Sequence, residues 1–233
     1  MDKAEFDKFV DKYRAIHQEN IRASSEAPDF FAEYKVKDIA EHTDGIVDAS
    51  TILDFGSGIG ASVPHVQHYF PQGSLTCLDV SQRSIESARE VNGAGAGFVV
   101  FDGATIPFDD DSFDIAFAAC IFHHINPNHH TRLLEELRRM LKSGGVMFVF
   151  EHNPFNPLIR YAVNTCPFGE NAVLISGRHL KNIFTKAGFS DVRLKNRFLF
   201  PYLLLHLRKI EPLLTWPPLG AQYYVSGRKP EAR

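Results

Sequence analysis

The stretch Leu53-Asp54-Phe55-Gly56-Ser57-Gly58-Ile59-Gly60 decides how this chain is read. With Thr51 and Ile52 before it, a short apolar run ends in alternating glycines, the pattern of a buried strand that turns into a helix. Glycines at such a turn let the backbone approach a ligand closely, because a Cβ would collide. Asp79 stands about twenty residues on, at the end of a second apolar run, where a carboxylate can accept hydrogen bonds from both hydroxyls of a ribose. Asp102 is read as closing a third strand, within reach of an adenine amino group. Carboxyl-end positions on successive strands would then address one crevice, the place where open α/β sheets bind ligands. A lone glycine turn is as readily a tight bend. In company with Asp79 and Asp102 it points to a nucleotide.

Working outward, strand and helix alternate. Strands are predicted at Thr51–Phe55, Ser74–Asp79, 98–102, 113–120 and 146–150. The helices between them are placed at 61–70, at 81–91 with Ser81 as N-cap, and at 130–141, the last stopped by Ser143-Gly144-Gly145. Continuous apolar strands separated by helices predict a doubly wound parallel sheet covered on both faces. A Pro-rich loop over 153–167, a helix over 177–187, a strand over 192–200, an apolar excursion over 201–220 and a last strand over 221–225 follow. The final connection is too short for a right-handed crossover, so the last strand should run antiparallel. Before the sheet, Phe6, Phe9, Val10, Tyr13 and Ile16 keep helical spacing, and a second helix is placed at 30–41. The chain is thus read as a single domain: a helical cover (1–48), a cofactor-binding core (50–152) and acceptor-side loops with the final strands (153–233).

A formal charge of -3 argues against a partner bound through a broad basic surface, so no nucleic acid is expected. Cys77, Cys120 and Cys166 are far apart and odd in number, which fits reduced thiols and a cytoplasmic protein. Neither a secretory leader nor an apolar run long enough for a membrane span is visible.

The glycine spacing narrows the ligand. A dinucleotide fingerprint is G-x-G-x-x-G, whereas here the third glycine comes one residue early. Asp54, just before the turn, would repel a pyrophosphate but suits a ligand bearing ammonium and sulfonium cations. That favours S-adenosyl-L-methionine over NAD. In this respect the segment resembles the first motif of class I S-adenosylmethionine-dependent methyltransferases. Leu78-Asp79-Val80-Ser81 resembles their ribose-binding second strand. Asp102-Gly103-Ala104-Thr105-Ile106-Pro107-Phe108 with Asp111-Ser112-Phe113-Asp114 is similar to the adenine loop and fourth strand of their small-molecule branch, and Ile121-Phe122-His123-His124-Ile125 and Leu141-Lys142-Ser143-Gly144-Gly145 fit the same pattern. The resemblance implies a Rossmann-like, seven-stranded, mostly parallel sheet with an antiparallel last strand. It implies that Asp54, Gly56, Ser57 and Gly58 line the methionine side, with Gly60 closing the turn. Asp79 and Val80 would hold the ribose, Asp102 and Gly103 would flank the adenine, and Cys120 would face the cofactor's centre.

The implied activity is methyl transfer to a small or carrier-linked metabolite. The alternatives are a non-catalytic S-adenosylmethionine-binding protein of the same fold and an NAD-dependent oxidoreductase. Methyl transfer is an in-line displacement in which the protein supplies alignment, a dry pocket and, for some acceptors, a base. Candidates for that base are His124 and Glu151, with His123 and His152 beside them. Paired histidines after a fourth strand fit an inert role equally well. No metal site is expected: the histidines lack zinc-site spacing, and His129 and His130 are read as opening a surface helix. Arg160 and Arg178 could hold an anionic acceptor or be solvated. Tyr34 and Tyr13 are candidates for a lid over the cofactor or for plain packing. The segment 198–216 could wall the acceptor pocket, touch a membrane surface peripherally, or pair with a second copy.

Overall fold

The computed structural model describes residues 28–43, 50–165, 172–198 and 220–231. The predicted first helix with Tyr13, and the excursion at 199–219, lie outside these residues. Helix α1 (Pro28–Thr43) starts with Asp29 in its first turn, where a carboxylate meets the positive end of the helix dipole. Strand β1 (Thr51–Phe55), α2 (Val63–Tyr69), β2 (Ser74–Asp79), α3 (Gln82–Asn92), β3 (Gly97–Val100) and β4 (Phe113–Ala119) follow. Then come α4 (His130–Met140), β5 (Leu141–His152), α5 (Pro157–Thr165), α6 (Gly177–Lys186), β6 (Ser190–Arg197) and β7 (Gln222–Arg228).

Among the described residues the sheet has seven strands in the order β3-β2-β1-β4-β5-β7-β6. The pairs from β3 to β5 are parallel, and β7 runs antiparallel to both its neighbours. The predicted doubly wound sheet with a reversed last strand is therefore the fold. Alternation along β1 sends Leu53 and Phe55 to one core, with Leu134, Leu137, Leu180 and Phe184 of α4 and α6. Ile52 goes to the opposite core, with Val36, Ile39, Val63 and Val66 of α1 and α2. Strand order reverses beside β1, where β2 lies on one flank and β4 on the other. The crevice between the carboxyl ends of β1 and β4 is the switch point.

Several boundaries differ from the sequence reading. Helix α2 begins at Val63 because Gly60 to Ser62 are spent on the turn, and Pro64 suits the first helical turn. Ser81 caps α3 as predicted, its hydroxyl accepting from Ser84 N. Strand β3 stops at Val100, so Asp102 lies in the turn beyond it. Ser143-Gly144-Gly145 does not stop α4. The helix ends at Met140, and the glycines belong to a register shift near the start of β5. Residues 157–165, read as loop, form α5, whose proline is at its first position. His130 is buried rather than superficial, its Nε2 shared between Phe122 O and Ile125 O. The last strand extends to Arg228.

Helix α1 is anchored by an ion pair. Asp38 receives both Arg197 Nε, at 2.6 Å, and the terminal guanidinium nitrogen. The side chains are 7% and 14% exposed, respectively. Burial pushes the Asp38 carboxyl up against the pull of Arg197, while Arg197 is held more firmly charged, in keeping with the deeper burial of the carboxylate. Such a pair contributes little net stability, but removing one partner strands the other. Asp38→Ala is expected to cost about 3–5 kcal/mol in urea unfolding, and the double change Asp38→Leu with Arg197→Met much less. Equal losses in the two variants would show that packing, not charge, holds α1.

Candidate functional site

The bend after β1 is held by the backbone and by one carboxylate. Gly56 N and Ser57 N donate to Leu78 O at 2.8 and 3.2 Å. Gly58 N donates to Asp79 Oδ2, and Ser81 N to Asp79 Oδ1, both at 2.9 Å. Asp79 thus faces the bend and ties it to the end of β2. Gly56 adopts φ +75°, where a Cβ would lie 2.7 Å from Ile121 Cγ1. Gly58 also has positive φ, yet no atom of the described residues stands within 4 Å of where its Cβ would be. The bend is closed on the protein side and open above Gly58, the space a ligand would need. At Gly60, φ +72°, an added Cβ would lie 2.9 Å from Asn92 Nδ2 and 3.1 Å from Ala88 Cβ of α3.

Asp54 is buried on the α1–α2 face of β1 and accepts a hydrogen bond from Ser62 Oγ. Burial, helped by the nearby Asp79 charge and opposed by Ser62 and Lys35, pushes its carboxyl up to about 7. Val80 is buried behind the Gly103 turn. Asp102 is exposed and accepts from Ala104 N and Thr105 N at 2.8 and 2.9 Å, bonds that hold it below its ordinary value. Cys120, just past β4, sits in the left-handed region with φ 56° and donates its N–H to Phe150 O. Burial pushes its thiol up, with Lys35 opposing.

Helix α1 brings Tyr34 over the sheet edge. Its ring meets Phe198 at 4.4 Å and Phe150 at 6.2 Å, and its hydroxyl donates to Gln222 Oε1. Gln222 Nε2 lies 3.5 Å from His152 Nδ1. Lys35 is buried beside Tyr34, its Nζ donating to Phe31 O at 3.1 Å, and its charge reaches Asp54, Cys120 and His152.

The acceptor-side candidates converge, with a change of partner. Glu151 is 0% exposed. Its Oε1 accepts from Phe122 N at 2.8 Å and His123 N at 3.3 Å, and its Oε2 meets His123 Nδ1 at 2.6 Å. Burial alone would raise this carboxyl, but the charge and hydrogen bond of His123 hold it below its ordinary value. Glu151 therefore engages His123 rather than His124. Burial and the His123 charge push His124 down to about 3, and burial brings His152 to about 4. Arg160 and Arg178 are exposed. No three His, Cys, Asp or Glu side chains among the described residues are grouped to hold a metal ion. No helix among them is long and apolar enough to cross a membrane.

A family model described as a methyltransferase domain matches residues 52–145, from β1 into the start of β5. These residues are thus similar to a methyltransferase domain. The chain is 30% identical over 141 residues to a sarcosine/dimethylglycine N-methyltransferase of Halorhodospira halochloris, a match covering 58% of this chain and 47% of that one. It is 32% identical over 110 residues to the demethylmenaquinone methyltransferase of Thermotoga maritima, covering 47% of each. The chain thus spans about half the length of these relatives. A solved phosphoethanolamine N-methyltransferase 2 of Haemonchus contortus, in complex with S-adenosyl-L-methionine, superposes on 97% of this chain and 60% of its own with a TM-score of 0.68 at 18% identity, which shows the shared fold.

The crevice shows more of its rim in three dimensions than along the chain. Lys35, Ser62 and Gln222 were passed over. Lys35 had a signal, since it stands one helical turn before Ile39, in step with the buried face of α1. Ser62 and Gln222 reach their partners through a turn and a strand pairing that no spacing announces.

The raised Asp54 carboxyl makes stability pH-dependent, with a sign opposite to that of a paired carboxylate. Below about pH 4 folded and unfolded states both hold the proton. Between about 4 and 7 only the unfolded state ionises, so stability falls as pH rises, and above 7 the loss is complete. Asp54→Asn should remove this component and gain on the order of 3 kcal/mol at pH 8 relative to the parent. Urea unfolding of both proteins at pH 5 and pH 8 checks it; an unchanged difference between the two pH values would place the titration elsewhere.

Proposed function

We propose that this domain binds S-adenosyl-L-methionine in the crevice between β1 and β4 and transfers its methyl group to a small or carrier-linked acceptor. The observation that carries the reading is a pair of buried carboxylates, Asp54 and Asp79, flanking a glycine bend that is open above Gly58. Bound there, the cofactor supplies a methyl group already activated on a sulfonium. The residues around it bind, orient and exclude water. Asp79, oriented by Gly58 N and Ser81 N, would take the ribose hydroxyls. Asp54 would ionise beside the ligand's ammonium, and Lys35 is placed to offset the ligand's carboxylate. Asp102, Gly103 and Val80 would border the adenine, and Gly56, Ser57 and Cys120 the methionine arm. Tyr34, tied to Gln222, would close the acceptor side as a lid and keep it dry.

The acceptor follows less directly. Related proteins named for sarcosine and for demethylmenaquinone show that this kind of domain serves both small amines and lipid-soluble rings. Acid at the bend, absent pyrophosphate spacing and buried polar groups at the ends of β4 and β5 favour methyl transfer over hydride transfer.

Asp79→Asn keeps one backbone contact of the carboxylate and should weaken S-adenosylhomocysteine binding by about 1.5–3 kcal/mol, roughly 10- to 150-fold, in calorimetry. Binding of NAD in preference to S-adenosylhomocysteine, or unchanged affinity in the variant, would refute the assignment.

A further inference from the structure

Resting on that reading, we infer that His123 is the general base of the transfer, held by Glu151 as a positioning residue, and that the acceptor atom is therefore a hydroxyl oxygen. An ionised carboxylate only accepts, so the 2.6 Å contact between Glu151 Oε2 and His123 Nδ1 requires the proton on Nδ1. A neutral imidazole held this way carries its lone pair on Nε2. Glu151 cannot turn away, because Phe122 N and His123 N both donate to its other oxygen. A carboxylate orienting an imidazole through Nδ1–H is the arrangement that prepares a base and then stabilises the imidazolium.

The pair belongs to the crevice. Cys120 lies within electrostatic reach of Lys35, Glu151 and His123, and Ile121, two residues before His123, packs where Gly56 lacks a Cβ. The groups around the imidazole are Glu151, His124 at 4.2 Å and His152 at 5.4 Å between ring centroids, with Lys35 and Cys120 beyond. Burial pushes His124 and His152 down as bases.

The chemistry selects the acceptor. An amine that has lost its ammonium proton to solvent before entering already offers its lone pair, and it sheds a second proton to water after transfer. A hydroxyl gains nucleophilicity only as its proton leaves. In the step, the acceptor O–H proton moves to Nε2 and the oxygen forms the new O–C bond. The C–S bond breaks with its electrons going to sulfur, leaving a thioether, an ether and an imidazolium that returns its proton to water.

The test uses the full chain saturated with S-adenosylhomocysteine. Diethyl pyrocarbonate labels an unprotonated imidazole nitrogen that the pocket exposes, and peptide mass spectrometry identifies the histidine. His123 should be labelled, about tenfold or more slowly in Glu151→Gln, whose amide can donate to Nδ1 and move the proton to Nε2, and again at the parent rate in Glu151→Asp. With S-adenosylmethionine and two probe sets, phenols and sugar alcohols against sarcosine and phosphoethanolamine, turnover should favour the hydroxyls. For them kcat should fall roughly 100-fold or more in His123→Gln with S-adenosylhomocysteine affinity kept. An unlabelled His123, a labelling rate indifferent to Glu151→Gln, turnover that favours the amines, or hydroxyl turnover undiminished in His123→Gln overturns the inference while cofactor binding stands. Failure of S-adenosylhomocysteine to bind the parent overturns the function and this inference together.

Discussion

One carboxylate holds the functional edge together. Asp79 takes the amide of Gly58 on one oxygen and the amide of Ser81 on the other, and so joins the bend after β1 to the cap of α3. The glycines permit the bend, but Asp79 selects its shape. A carboxylate bearing two backbone hydrogen bonds is also anchored in orientation, so its remaining lone pairs face a fixed direction. Preorganisation of this kind leaves a ligand little ordering cost at the bend.

Around that anchor the molecule stores charge where water is scarce. Asp54 lies under the bend with Ser62 as a direct partner, and Lys35 approaches from α1. Asp54 keeps its proton to about neutrality because the apolar face of α1 and α2 surrounds it. The same helix also places Tyr34 at the rim and Asp38 on Arg197 of β6. One element thus brings Lys35 and Tyr34 to the crevice and is fastened to the far side of the sheet.

The sheet was legible because parallel strands buried on both faces must be apolar throughout, and Leu53, Leu78, Phe117 and Phe148 advertise that. The bend and Asp79 were legible for a related reason: close approach restricts residue type to glycine, and the carboxylate closes a strand. What stayed hidden depended on contacts between distant segments. The sequence reading put His124 forward with Glu151. Which of two adjacent histidines meets a carboxylate 28 residues away is settled by a short 3-10 turn at 122–124, and periodicity says nothing about that. Helix α5 was missed because prolines at 154 and 157 look like loop markers, although a proline at a helix's first position is no obstacle.

The reversed direction of β7 gives the sheet an asymmetry of its own. Gln222, at the start of this strand, pairs with His152 at the end of β5, while Arg228 pairs with Val146 near the beginning of β5. A parallel strand would have offered its last residue to the crevice; this one offers its first. Backbone leaving Arg228 therefore departs from the opposite border of the sheet, about 20 Å from the pocket at strand rise. Sequence appended on that side, of whatever bulk, would hang clear of the ligand's entrance.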